Sequence, residues 1–166
     1  HIEQFTLYEC VEKSTDEMAK KSKRVMVSCD YLQKTAATMN DAQLRKAISD
    51  ILANPAPSFI APLTSADAKR VVWEELNAGK LIDGVALDAF LPPVQDPNKS
   101  PQPFFSAPGS GYQSHHSYPG GLVTHTALNL KVSLALCEGY RETYGYELDR
   151  DVVIASQLLH DLHKPW

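Results

Sequence analysis

Between Asp149 and His163 the chain carries Val152, Val153, Ile154, Ala155, Leu158, Leu159 and Leu162, so a helix here is apolar almost all the way round. Such a helix has to be covered on several sides, which places it at the centre of a bundle. Asp149 is well suited to cap it. No stretch of the sequence shows convincing strand alternation, and the expected fold class is all-α.

The other helices read from caps and breakers. Residues 3 to 38 read as helical, with Met18, Val25, Met26, Tyr31 and Leu32 among many polar positions. The basic run Lys20, Lys21, Lys23 and Arg24 on this stretch reads as a solvated face, with phosphate steering as the alternative. Asn40 is a suitable cap for a helix from Asp41 to about Ala53, where Leu44, Ile48, Ile51 and Leu52 recur at helical spacing. Asn54-Pro55-Ala56-Pro57 ends it, because proline lacks a donor and restricts its predecessor. Ser65 caps a further helix through Ala78, with Gly79 as its stop and Val71, Val72, Trp73 and Leu76 as its buried side. Residues 83 to 119 hold Pro92, Pro93, Pro97, Pro101, Pro103, Pro108 and Pro119 and read as a long connection with little regular structure. Gly120-Gly121 then opens a helix from about Leu122 to Tyr144, stopped by Gly145, with Leu128, Val132, Ala135 or Leu136 as its inward stripe. His125 heads that stripe.

Composition narrows the function classes. The 166 residues are 43% apolar and 22% charged, enough to bury a core and too apolar for a disordered chain. Net charge is −4, from 16 basic and 20 acidic residues, so no overall basic field awaits a nucleic-acid backbone. Cys10, Cys29 and Cys137 are widely spaced and read as three separate thiols, with a Cys10–Cys29 bridge as the alternative. No apolar run reaches the length of a membrane span. Cysteine usage leans towards the cytoplasm. The first residue is His1, so the expectation is either a removed leader or a start inside a longer protein. There is no phosphate-cradling glycine loop and no GxSxG.

The chemistry gathers at His160-Asp161. An imidazole and a carboxylate in apolar surroundings are costly unless paired or metal-bound. Helical neighbours point about 100° apart, yet two of them can converge on one ion near a helix end. His125 comes from the preceding helix, and the alternative for it is a hydrogen-bonded core histidine. Imidazole with carboxylate is a ligand set for a divalent transition metal such as Mn, Fe, Ni or Zn.

Two segments carry a family resemblance. His115-His116-Ser117-Tyr118-Pro119-Gly120-Gly121-Leu122-Val123-Thr124-His125-Thr126, followed by Leu158-Leu159-His160-Asp161-Leu162-His163-Lys164-Pro165, resembles the HD superfamily of metal-dependent phosphohydrolases. The likeness is greatest to bacterial exonuclease-like and nucleotidase-like members. It covers roughly residues 112 to 166. It implies a helical bundle of HD type whose N-terminal part is residues 112–166, with 1–111 a helical region of unassigned role that ends in the proline-rich connection. It also implies that His125, His160 and Asp161 are metal ligands for one or two ions, with Asp161 able to bridge them. Lys164 is then expected at the substrate phosphate, catalytic together with Asp161; its plain alternative is a cation at a helix C-terminus. His116, preferred over His115, is expected to touch substrate or a second metal, with a plain polar loop residue as the alternative; His163 is expected to touch substrate, with an added ligand or a helix cap as the alternatives.

Two departures from the family pattern stand out. The later aspartate that completes the family's metal site does not occur before Trp166, so a fragment is expected. His163 also stands where glycine is common. The implied activity is hydrolysis of a phosphate ester in a small, nucleotide-like substrate by metal-activated water. A helical HD-like binding or regulatory module with an incomplete metal site is the alternative.

Overall fold

The computed structural model describes residues 6, 11–63, 65–91, 96–111 and 114–166. All regular structure among them is helical, as the sequence leads one to expect. Parts of the predicted helix in 3–10, Cys10, and Pro92 and Pro93 lie outside the described residues, as do Tyr112 and Gln113. The described residues fall into two compact units, one drawn from 1–55 and 101–166 and the other from 56–100.

In the first unit, α1 (Thr15–Lys21) and α2 (Lys23–Ala37) lie in the stretch that reads as helical up to residue 38. The break is at Ser22, whose backbone is extended and whose hydroxyl accepts from the Val25 N–H at 3.2 Å. A side chain that supplies this acceptor starts a new helix where the old one stops. At the start of α1, Ser14 and Glu17 form a reciprocal capping box. Helix α3 (Ala42–Ala53) is capped by Asp41 and not by Asn40, and the Asp41 carboxylate accepts from the N–H groups of Gln43 and Leu44. The Asn40 and Asp41 N–H groups are instead taken by one oxygen of Asp151, each at 2.7 Å. This buried carboxylate ties the start of α3 to the helix that begins at Arg150.

The second unit contains a 3-10 helix (Ser58–Leu63) and α4 (Ala66–Ala78), with Ser65 and Gly79 as its caps. No residue of α4 is buried, and Val71 is 61% exposed, against the buried side expected for it. Trp73 binds the Val85 carbonyl through its indole N–H at 2.8 Å, and Lys69 binds that of Leu91.

Returning to the first unit, α5 (Gly121–Tyr144) runs between two left-handed glycines, Gly120 and Gly145. Gly120 has φ 79°, and a Cβ there would meet the Val25 side chain at 2.5 Å. Both facts require glycine. The backbone N–H groups at the start of α5 are satisfied by its approach loop: Gly120 donates to Ser106, Gly121 to Tyr118 and Leu122 to Ala107. That loop is irregular, as its prolines predict, yet Phe104, Ser106 and Ala107 are buried.

The buried face of α5 is Leu122, Val123, Thr126, Ala127 and Leu130. Leu128, Val132 and Leu136, the stripe expected to face inward, are 56%, 51% and 58% exposed. The helix is apolar on more than one side, and packing selects the side that meets α2 and α6. Helix α6 (Arg150–Leu159), capped by Asp149, touches α2, α3 and α5, so it is central as expected, although Val152 is exposed. It ends at Leu159, short of the predicted His163. Leu32, Ala36 and Ile48 from α2 and α3, with Met39 from the turn between them, meet Phe104, Leu122, Leu130, Ile154 and Leu158 in one core.

Candidate metal centre

His125 lies in the second turn of α5, and the start of that helix is held on its other side by Thr124. The Thr124 hydroxyl is 3.0 Å from the Gly121 carbonyl, to which it donates, and 2.7 Å from the Tyr118 hydroxyl. Opposite His125, α6 has just ended. His160 is its C-cap, and Asp161 follows in a turn. His160 keeps helical backbone angles, φ −57° and ψ −30°, so the pair retains the angle of helical neighbours, and the point the two share lies near the helix end.

Three donor atoms meet there. His125 Nε2 is 3.4 Å from Asp161 Oδ2 and 3.4 Å from His160 Nε2, and His160 Nε2 is 3.5 Å from Asp161 Oδ2. The triangle is nearly equilateral. Ligands about 2.1 Å from a tetrahedral ion are separated by about 3.4 Å along each edge, so the spacing fits one face of such a site. The side chains of His125 and Asp161 are 18% and 19% exposed, and that of His160 is 34% exposed. The centre is therefore shielded but open on one side.

Proton positions favour the same reading. His160 Nδ1 is 2.8 Å from the Gln157 carbonyl, which only an N–H can satisfy, so its Nε2 carries the lone pair. His125 has its pKa lowered by burial first and by the neighbouring His116 next, while Asp161 acts the other way. It is held neutral, the form in which imidazole binds metal. Asn129, one turn on from His125, has its amide nitrogen 3.1 Å from His125 Nε2. Its i+4 spacing from His125 is the only sequence signal for it, and sequence reasoning passed it over.

His115 and His116 stand on the other side of His125. Their Nδ1 atoms are 2.9 Å apart, and their ring centroids lie 5.4 and 5.2 Å from that of His125. Two sets of side chains thus have metal-capable donors close together: His125, His160 and Asp161, and His115, His116 and His125. His163 is exposed and belongs to neither. Lys164 is partly buried and joins the ligand segment through its backbone, its N–H donating to the Asp161 carbonyl at 3.0 Å.

No family model matches this chain, and no solved structure matches it. A stretch of 52 residues is, however, similar to part of a phosphodiesterase, with 46% identity. That protein is the dihydroneopterin 2',3'-cyclic phosphate phosphodiesterase of Methanocaldococcus jannaschii; the match covers 31% of this chain and 21% of that enzyme. No helix among the described residues is long and apolar enough to cross a membrane.

Proposed function

We propose that this chain carries part of a metal-dependent phosphodiesterase of HD type, which hydrolyses a phosphate ester in a small, nucleotide-like substrate. The observation that carries the proposal is the triangle of His125 Nε2, His160 Nε2 and Asp161 Oδ2, with edges of 3.4 to 3.5 Å. The similarity to a phosphodiesterase supports the reaction class.

On this reading His125, His160 and Asp161 hold a divalent transition ion such as Mn, Fe, Ni or Zn. When bound, the ion polarises phosphoryl oxygens and makes water acidic enough to attack them. Asp161 supplies the only negative charge among the three ligands, so the loaded centre stays positive and attracts an anionic phosphate. His160 is oriented by the Gln157 carbonyl, which keeps its Nε2 aimed at the ion. Lys164 would neutralise phosphate charge in the transition state, with His116 and His163 at the substrate. Residues 112–166 would then form the N-terminal part of the HD-like domain, with α2 as a packing partner of α5.

The test is elemental analysis of the full chain and of a His160→Ala, Asp161→Ala double variant, each equilibrated with Mn, Fe, Ni or Zn. Hydrolysis of bis(p-nitrophenyl) phosphate is measured alongside. A double variant that holds one equivalent of metal fewer than the wild type and has lost activity is the expected result. Equal metal content in the two proteins would sink the assignment.

A further inference from the structure

We infer that His115 and His116 form a second cation site, adjoining the first at His125 and suited to a borderline transition ion such as Zn(II). Consecutive side chains in an extended segment point to opposite sides. Here the two rings lie on the same side, with centroids 5.1 Å apart. The cause is the backbone of His116, whose φ of 60° lies in the left-handed region. A non-glycine residue adopts that region at a cost of about 1–3 kcal/mol, and the surroundings have to impose it.

They do so from three directions. The Gly109 N–H donates to the His116 carbonyl at 2.8 Å, and the Ser110 hydroxyl donates to the His115 carbonyl at 2.7 Å. Gly121 lies against the His116 carbonyl so closely that an added Cβ would overlap it. A loop clamped in this way to present two imidazoles is a built feature.

The donor geometry suits an ion. The two Nδ1 atoms are 2.9 Å apart and share a hydrogen bond, and an opening of about 0.5 Å brings them to the roughly 3.4 Å between tetrahedral ligands each about 2.1 Å from the metal. The third donor is His125, shared with the first site. A neutral imidazole has one lone pair, so His125 serves one ion at a time. With the first site filled, the second ion keeps two protein nitrogens. It is held more weakly, and its other positions face outward, where His115 is exposed. There it would meet substrate oxygens. That role in turnover rests on the phosphodiesterase reading; the binding itself does not.

The test is Zn(II) titration of the chelator-stripped full chain by calorimetry, with three proteins compared. Wild type is expected to bind two equivalents of unequal affinity. A His115→Gln, His116→Gln variant should lose the weaker equivalent and keep the tighter one, which also shows that it has folded. The His160→Ala, Asp161→Ala variant should keep one equivalent, bound at His115 and His116 with the freed His125. If the His115, His116 variant still takes up two, the second site does not exist. If wild type takes up one equivalent and both variants weaken it, all five donors serve a single ion and the inference is overturned. If wild type takes up one equivalent that only the His115, His116 variant loses, this site stands and the phosphodiesterase centre falls.

Discussion

The same substitution at two places on α5 should have opposite effects. Gly139→Ala adds a methyl group at an exposed mid-helix position with nothing within 4 Å of the new Cβ. The gain is the intrinsic preference of helices for alanine, about 1 kcal/mol. In Gly121→Ala the new Cβ would overlap the His116 carbonyl oxygen, far inside the 3.0 Å below which real Cβ contacts essentially never fall. The loop at His116 has to move, which breaks the bond from the Gly109 N–H, and overpacking of this kind costs about 1–3 kcal/mol. The lost hydrogen bond adds about 1 kcal/mol. Set against a helix-propensity gain of at most about 1 kcal/mol, the net loss is about 2 kcal/mol. For a chain of this length each kcal/mol moves Tm by roughly 2–4 °C. Calorimetry of the metal-free proteins should therefore place Gly139→Ala a few degrees above wild type and Gly121→Ala clearly below it. A Gly121→Ala protein as stable as wild type would refute the close packing of helix start and histidine loop.

Three further outcomes follow from the same contacts. Asp151→Ala strips a charged acceptor from two backbone N–H groups and should cost about 3 kcal/mol in urea unfolding, with Asp151→Asn losing roughly half as much; a loss under about 0.5 kcal/mol for alanine would mean that water replaces the carboxylate. Burial is the first cause holding His116 and His125 below the ordinary imidazole value of 6.5, so the unfolded chain binds more protons and metal-free stability is lost as pH falls from that value downward. Urea midpoints should drop between about pH 7.5 and 5.5, and a His116→Asn, His125→Asn variant should drop less; equal slopes would contradict the assignment. Gln157→Pro would distort the last turn of α6 and the carbonyl that orients His160, so metal uptake should fall even where circular dichroism shows the bundle intact.

Local signals in the sequence were readable because local chemistry decides them. Ser65, Gly79, Gly145 and Asp149 cap the helices expected of them. Asp41 displaces Asn40 by one position, because its carboxylate reaches two N–H groups while Asp151 occupies those of Asn40 and Asp41 themselves. The buried side of α5 was not readable: two apolar faces compete, and only the positions of α2 and α6 choose between them. Nor was the end of α6, since no glycine or proline marks Leu159. At the site, the meeting of His125, His160 and Asp161 follows from two motifs on successive helices. The placement of His115 and His116 does not, because a left-handed histidine has no signature in its own residue type. It depends on Gly109 and Gly121, which lie on either side of it in the chain.

The bonds that the Asn40 and Asp41 N–H groups donate to Asp151, and that the Trp166 indole donates to Pro55, each join residues 110 or 111 positions apart. At equilibrium such closure is cheap, since doubling a loop adds only about 0.6 kcal/mol. Kinetically it is slow, because distant segments have to find each other before anything rewards them. During synthesis α2 and α3 emerge first, with the side that will meet α5 and α6 still bare. The histidine loop, α5 and α6 follow, and of the five donors His160 and Asp161 are made after the other three. On the proposed reading, cation binding at His125, His160 and Asp161 waits until α6 has docked against α5.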